Sequence, residues 1–449
     1  MTINESETVI IVDDPKKKAR DFSSLLDEYS VVYTREDPYF LVGSKSEEPG
    51  WILEISVVRS QVIDLLKRLI PILYLENLPF RIANSPDNAR HILDGNLGHL
   101  QVGRLISIYP GSDEKAVRLA RILIRETKKF AGPAIPGSVP LGGAVYTMKN
   151  DNANVGVWPF KEFATGSVIK SKILLHGTYL RYSLISSKCK GNVVKGINIK
   201  PFWRMNWCLI KQGKRAMLSD DLGFDMKDRL KWQKEIHQAL KGIIPIPAII
   251  DLFEEGGDQF LVMEFIEGQT LDMVIPLLFN NKNWDQIENK IRIQILDYLL
   301  QVIHLIGRLH QKGLIHRDIT PANFMLDKKN NLFLIDMELA YSMKNKFPSI
   351  PFELGTYGYM SPEQVAHETP TEKEDIYALG AFMVALLTCQ NPINLDFSKL
   401  DKLRQQLLDS IKDHHIAECI VKCSSRDPCR RPTIEEINEI IGGYKKKYA

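Results

Sequence analysis

Three side chains with oxygen to offer stand in fixed order late in the chain. Asp318 closes His316-Arg317-Asp318, Asn323 follows five residues on, and Asp336 thirteen beyond that. Their types suit phosphoryl transfer, which is catalysed mostly by positioning and by neutralising charge. The Asp318 carboxylate would receive the proton of an attacking hydroxyl. The Asn323 amide oxygen and the Asp336 carboxylate are hard donors of the kind magnesium takes. The segment GLIHRDITPANFMLDKKNNLFLIDMELA sets these groups at the edges of two apolar runs. The pattern predicts a strand, a loop, a second strand and a terminal aspartate.

This order resembles the catalytic loop and metal aspartate of protein kinases. The chain on either side agrees. Trp207-Cys208-Leu209-Ile210-Lys211 is an apolar strand ending in a lysine, where a kinase carries the lysine for the α- and β-phosphates of ATP. Glu235 follows in a helical pattern and is expected to pair with Lys211. Phe260 to Gly268 looks like the hinge behind the adenine, with Met263 guarding the back pocket and the Glu264–Phe265 backbone bonding the base. Gly355 to Glu363 resembles the end of an activation segment. EDIYALGAFMVALLT resembles the buried helix that anchors the catalytic loop, with Asp375 holding the loop from inside and Arg431 pairing with Glu363. ATP and Mg2+ are the cofactors this resemblance implies.

Three positions depart from the kinase pattern. Only Gly191 and Gly196 remain of the glycine-rich loop, in SSKCKGNVVKG. The lysine usual two residues after the catalytic aspartate is Thr320. The metal triplet reads Asp336-Met337-Glu338, and a glutamate in place of glycine is expected to stiffen the metal loop. The base and both metal ligands are retained, which favours an active enzyme over a pseudokinase. Ser342, Ser349, Thr356 and Tyr357 are candidate phosphorylation sites.

The 449 residues suit two or three domains. A formal charge of +3 gives no argument for nucleic acid. The six cysteines lack CxxC spacing and read as buried free thiols of a reducing cytoplasm. The N-terminus is polar and of mixed charge, so no signal peptide is expected. The longest apolar run, ALGAFMVALLTC, is too short to span a bilayer. A cytoplasmic protein without membrane insertion is the expectation. The terminal Gly442 to Lys447 reads as a frayed, solvated end.

A kinase-like domain needs only residues from about 177 to the end. Residues 1–155 read as a separate small α/β domain, and 156–176 as a connector. The stretch from Gly50 gives a strand, then a helix with Val62, Leu65, Leu66, Leu69 and Ile70 on one face, then a strand. A second strand and helix follow, with Pro110-Gly111 as the turn and Ser112-Asp113 as the capping start. GPAIPGSVPLGGAV reads as a Pro/Gly-rich loop. The fold class is α+β, a small α/β domain followed by a bilobal kinase-like domain.

The pair of domains resembles the class III lanthionine synthetases. The residues that carry this are Gly50-Trp51-Ile52-Leu53-Glu54, Pro79-Phe80-Arg81, Gly103 through Pro110 and Gly132-Pro133, in the family's order. The resemblance implies a kinase acting on Ser/Thr of a ribosomally made precursor peptide. It implies a phospholyase-like first domain that eliminates the phosphate, and ring closure by a separate cyclase partner. The family's phosphate-binding lysine positions are Arg81 and Arg104 here, and its histidine position is Glu54. Arginine binds phosphate through its planar fork but does not serve as a base. His91 and His99 are the histidines that remain to supply an acid. Two further readings stay open: a bacterial Ser/Thr signalling kinase with a regulatory N-terminal domain, and a pseudokinase scaffold.

Overall fold

In the computed structural model, the described residues are 21–44, 50–149, 158–163, 172–200, 205–352 and 355–449. The polar N-terminal stretch and residues 156–157 and 164–171 of the expected connector lie outside them. The chain divides into two compact units. One takes Met1–Asn206, Ile210–Asp228 and Phe253–Phe260, and the other Trp207–Leu209, Arg229–Leu252 and Leu261–Ala449. The fold is α+β.

The first unit opens with a seven-stranded sheet. Its strands are β1 (Tyr33–Glu36), β2 (Tyr39–Val42), β3 (Trp51–Ile55), β4 (Phe80–Ala83), β5 (Ile106–Ile108), β6 (Val139–Gly142) and β7 (Val145–Lys149), in the order β1-β2-β4-β5-β3-β7-β6. Every pairing is antiparallel. Alternation sets Leu53, Ile55, Phe80, Ile82, Ile106 and Ile108 into one core with the helix Val62–Leu75. That helix buries Val62, Leu65, Leu66, Leu69, Ile70 and Leu73, the expected face and one turn more. Each such leucine contributes about 1.5–3 kcal/mol on burial. The Ser112 side chain caps the helix Asp113–Glu126 by accepting from the Lys115 amide at 3.3 Å.

Two expectations change here. The Pro/Gly-rich stretch is not all loop, because β6 and β7 run through it. Pro140 is tolerated there because β6 is the sheet's edge, where a missing N–H leaves no ladder bond unmade. Gly132 is required by close approach, since a side chain there would stand 2.3 Å from the Ser56 carbonyl carbon. The first core also extends past residue 155. Phe160 is fully buried in it, and Trp51, Trp158 and Phe160 stack edge to face at 5.1–5.4 Å.

A six-stranded sheet comprises β8 (Leu174–Leu175), β9 (Tyr179–Lys188), β10 (Gly191–Asn198), β11 (Asn206–Gly213), β12 (Ile249–Glu255) and β13 (Asp258–Glu264), in the order β12-β13-β11-β10-β9-β8. Its strands are shared between the two units, and the second unit is otherwise mainly helical. The centre of that unit is Glu372–Thr388, buried on nearly every face, packed with Asn289–Gln311 and His414–Cys423. No helix among the described residues is long and apolar enough to cross a membrane.

The chain's end is not frayed. Ile434–Lys446 is a helix opened by a Thr433/Glu436 capping box. Tyr444 is buried, and its hydroxyl accepts from the Trp284 indole N–H at 2.8 Å. A buried indole needs such an acceptor, which is what ties the helix down. The cysteines divide: Cys208, Cys419 and Cys423 are buried, whereas Cys389 and Cys429 are exposed and Cys189 is half-buried. All are free thiols.

Candidate active site

The catalytic-loop residues sit between two short elements of the second unit. Leu314–Ile315 pairs with Tyr341–Ser342, and Phe324–Asp327 pairs with Leu332–Leu334. These pairings bring the loop and the metal aspartate to one end of small, rigid sheets. Buried Asp375, in the first turn of Glu372–Thr388, holds the loop from within. Its carboxylate accepts from the backbone amides of His316 and Arg317, each at 2.8 Å, and meets His310 Nε2 at 2.8 Å. Burial works against its charge, but the His310 contact and the two amides keep this carboxyl below its ordinary range. Burial likewise works against His310, and Asp375 outweighs it and raises the imidazole.

Asp318 is half-buried with both oxygens engaged. Asn323 Nδ2 donates to Asp318 Oδ2 at 3.0 Å and to the Asp318 carbonyl at 2.7 Å. Thr356 donates to Asp318 Oδ1 twice, from its backbone N–H at 3.1 Å and its hydroxyl at 2.7 Å. A carboxylate held this way is ready to receive a proton from a hydroxyl. The same bonds change the reading of Thr356, whose hydroxyl is taken up by Asp318. Ser342 is buried, and its hydroxyl accepts from the Asn345 amide at 3.2 Å. Ser349, Thr356 and Tyr357 are exposed residues, and of these Thr356 is the one bonded to Asp318.

Asp336 is half-buried and accepts from the Glu338 amide at 3.1 Å. The Glu338 backbone stays out of the left-handed region, as its side chain requires. Glu338 and Met337 are both buried, and Trp232 Nε1 donates to the Ala340 carbonyl at 2.7 Å. Asn323 spends its amide N–H groups on Asp318, leaving its oxygen as acceptor. Carboxylate and amide oxygens are what magnesium takes, so Asn323 and Asp336 fit that ion.

Glu235 does not share the buried side of its helix. In Met226–Leu240, the buried residues include Met226, Leu230, Gln233, Ile236 and His237, and Glu235 is exposed. At about 100° per residue, Glu235 lies well off that stripe. Sequence pattern missed this because polar Gln233 holds the inward position. Its amide lies 3.5 Å from His237 Nε2 and 4.0 Å from the Met263 sulfur. Met263 is buried against Leu230 and Leu261, as a residue closing a back pocket would be. The Glu264 amide is already bonded to the Ala248 carbonyl at 2.8 Å, so Phe265 begins the stretch beyond the strand. Lys211 is buried on β11. Gly191 is explained by packing: a side chain there would meet the Gln212 carbonyl oxygen at 1.9 Å. Gly191→Ala is therefore expected to distort the β9–β10 hairpin, read as a Tm several degrees lower.

In the N-terminal sheet, Glu54, Ser107 and Arg81 form one cross-strand row. Arg81 is half-buried, donates to Ser107 at 3.2 Å and lies 4.2 Å over the Tyr39 ring. Arg104 is buried and committed. It pairs with fully buried Glu54 and donates to the Leu100 carbonyl at 2.6 Å and the Pro136 carbonyl at 3.2 Å. Glu54 also accepts from Ser138 at 2.6 Å. Arg104 thus serves the internal charge balance and is not presented to a phosphate. The sequence could not show this, because the pair joins positions 50 residues apart. Arg104→Ala is expected to cost about 3–5 kcal/mol by leaving Glu54 buried alone, read as a lower Tm. His91 is half-buried beside Asn96 Nδ2 at 3.1 Å, and His99 lies 3.7 Å from Cys189 Sγ. Burial, with Arg90 nearby, holds His91 below its usual pKa.

Fold and loop geometry define a protein kinase domain. Comparison agrees: residues 224–440 match the protein kinase domain, and residues 34–147 match the RamC N-terminal domain. The chain is 28% identical over 200 residues to hormonally up-regulated neu tumor-associated kinase homolog B of Xenopus laevis, covering 42% of this chain and 30% of that protein. It is 30% identical over 195 residues to serine/threonine-protein kinase PrkC of Bacillus subtilis, covering 41% and 29%. It is 28% identical over 186 residues to serine/threonine-protein kinase PknB of Mycolicibacterium smegmatis, covering 39% and 28%. The chain thus spans under a third of each relative's length. It carries a Ser/Thr protein kinase domain preceded by a RamC-type N-terminal domain.

Proposed function

We propose that this protein transfers the γ-phosphoryl group of MgATP to a serine or threonine hydroxyl of a ribosomally made precursor peptide. The observation that carries the chemistry is the Thr356 hydroxyl bonded to Asp318 at 2.7 Å, alongside the Asn323 contact. A substrate hydroxyl in the same relation would lose its proton to Asp318 as its oxygen attacks the γ-phosphorus. The bond from that phosphorus to the bridging oxygen breaks, and ADP leaves. Asn323 and Asp336 would hold the magnesium, which neutralises phosphate charge. Lys211 would hold the α- and β-phosphates. The precursor-peptide substrate is supported by the RamC-type domain and by the motifs it shares with the class III lanthionine synthetases.

For the N-terminal domain, the Glu54–Arg104 pair favours binding without elimination. β-Elimination needs a base, an acid and cations around the leaving phosphate. Here one of the two arginines is neutralised internally and the histidine position is an acid. Arg81 remains to meet a phosphorylated or acidic peptide.

Mass spectrometry of a Ser/Thr-rich peptide encoded beside the gene, incubated with protein, MgATP and nothing else, separates these readings. A persistent gain of one phosphoryl group is expected. Loss of water would show that the N-terminal domain eliminates after all. No change in any such peptide would count against the precursor substrate. Asp336→Ala is expected to abolish the magnesium-dependent part of ATP binding, read by thermal shift with and without Mg2+.

A further inference from the structure

Arg317 is held between the activation segment and the helix Glu372–Thr388. Phosphorylation orders kinase activation loops by giving a loop arginine a new anionic partner. Arg317 already has one. Its Nε donates to Glu374 Oε2 at 3.1 Å, and both side chains are almost wholly buried. Its Nη1 donates to the Phe352 carbonyl of the activation segment at 3.0 Å. Its own carbonyl accepts from Gln364 Nε2 at 2.9 Å, just beyond the segment's end. Arg229 adds a second tie, its guanidinium lying 4.7 Å over the Phe352 ring. Arg317 has φ +67°, a left-handed conformation that costs a non-glycine residue energy and persists only when its surroundings impose it. The next residue is Asp318.

Resting on the kinase reading above, we propose that Glu374 takes the place of an activation-segment phosphate. It neutralises Arg317 from inside, and Arg317 holds both Phe352 and the backbone that presents Asp318. The segment is then set for catalysis without phosphorylation of Ser349 or Tyr357. Glu374 is a positioning residue, acting through Arg317. Its place in the first turn of Glu372–Thr388 favours a negative charge. The charged and titratable groups that face it are Arg317, Asp375 and Glu363, with His310 and His316 beyond Asp375. Burial pushes the Glu374 carboxyl up to about 7, Arg317 works against that shift, and Asp375 and Glu363 add to it. The pair with Arg317 is therefore complete above about pH 7 and is lost as Glu374 takes a proton below it.

The test uses the full chain, treated with phosphatase until intact mass shows no phosphate. MgATP turnover is followed with the neighbouring Ser/Thr-rich peptide and with myelin basic protein as acceptors. The phosphate-free protein is expected to keep its full rate, and Ser349→Ala and Tyr357→Phe to match it. Glu374→Gln is expected to lose at least tenfold in rate while its Kd for MgATP stays within twofold. The rise of the parent's rate through pH 7 should vanish in that variant. A tenfold loss on phosphatase treatment, or a Glu374→Gln variant as fast as the parent, overturns the proposal. Hydrogen exchange over residues 355–361 tests it without any activity: slow in the phosphate-free parent and faster in Glu374→Gln. Equal exchange in the two also overturns it. A parent with no turnover and slow exchange would sink the kinase reading while leaving the Glu374 contact supported.

Discussion

Asp318→Asn is expected to lower phosphoryl transfer by about 10²–10⁴-fold while leaving MgATP affinity within a few-fold. The asparagine keeps the shape and keeps an oxygen to accept from Thr356 or Asn323. It cannot take a proton from a substrate hydroxyl. It also presents a donor to a loop whose surrounding groups are already donors: Asn323 Nδ2, the Thr356 amide and the Thr356 hydroxyl. One of those contacts must turn or break. Rates of peptide phosphorylation and binding of MgATP by calorimetry check the two halves separately. Equal rates for variant and parent would remove Asp318 from the chemistry. Lost binding with lost rate would instead mean that the loop collapsed.

The sequence made the loop chemistry legible because chemistry constrains residue type and spacing together. A base and two oxygen ligands within one strand-loop-strand run leave few arrangements, and Asp318, Asn323 and Asp336 fall where that run implies. The same holds for Arg431 and Glu363, which form the expected buried pair, with Nη2 at 2.9 Å from Oε2. The helix before the hinge was harder. Its inward stripe contains Gln233 and His237, so apolar periodicity gave no warning that Glu235 points outward. Polar groups go inside when they find partners, as His237 Nδ1 does with the Pro247 carbonyl at 3.0 Å. Those partners are distant in sequence and leave no local mark. Arg104 and Glu54 teach the same lesson with charge. As single residues they resembled a displaced phosphate site. Brought together beside the β3–β5 pairing, their side chains neutralise one another. The terminal helix was misjudged for a similar reason, since Gly442-Gly443 and three lysines look solvated until Trp284 supplies the contact for Tyr444.

Asp375→Ala is expected to damage folding and catalysis together. Asp375 is fully buried and makes three contacts, to the His316 amide, the Arg317 amide and His310 Nε2. An alanine leaves two buried backbone donors and one imidazole without their acceptor, in a space water does not readily fill. Each unsatisfied group costs about 1–3 kcal/mol, so a loss of at least about 3 kcal/mol overall is the expectation. That is a large part of the stability of an ordinary domain. The catalytic consequence follows from position. The two amides precede Asp318 directly, and without them the left-handed turn at Arg317 loses the constraint that maintains it. Asp375→Asn discriminates the causes. It keeps an oxygen for one amide and the volume of the side chain, but it removes the charge that raises His310. Its loss of stability should be smaller than alanine's and should depend on pH. His310 is raised in the folded state, so the contribution of its pairing is fully present below about pH 6.5 and fades as pH rises through the folded value. Denaturant titrations of parent and Asp375→Asn from pH 6 to 9 should therefore converge toward the alkaline end. Parallel curves across that range would show that His310 does not carry the charge that Asp375 answers.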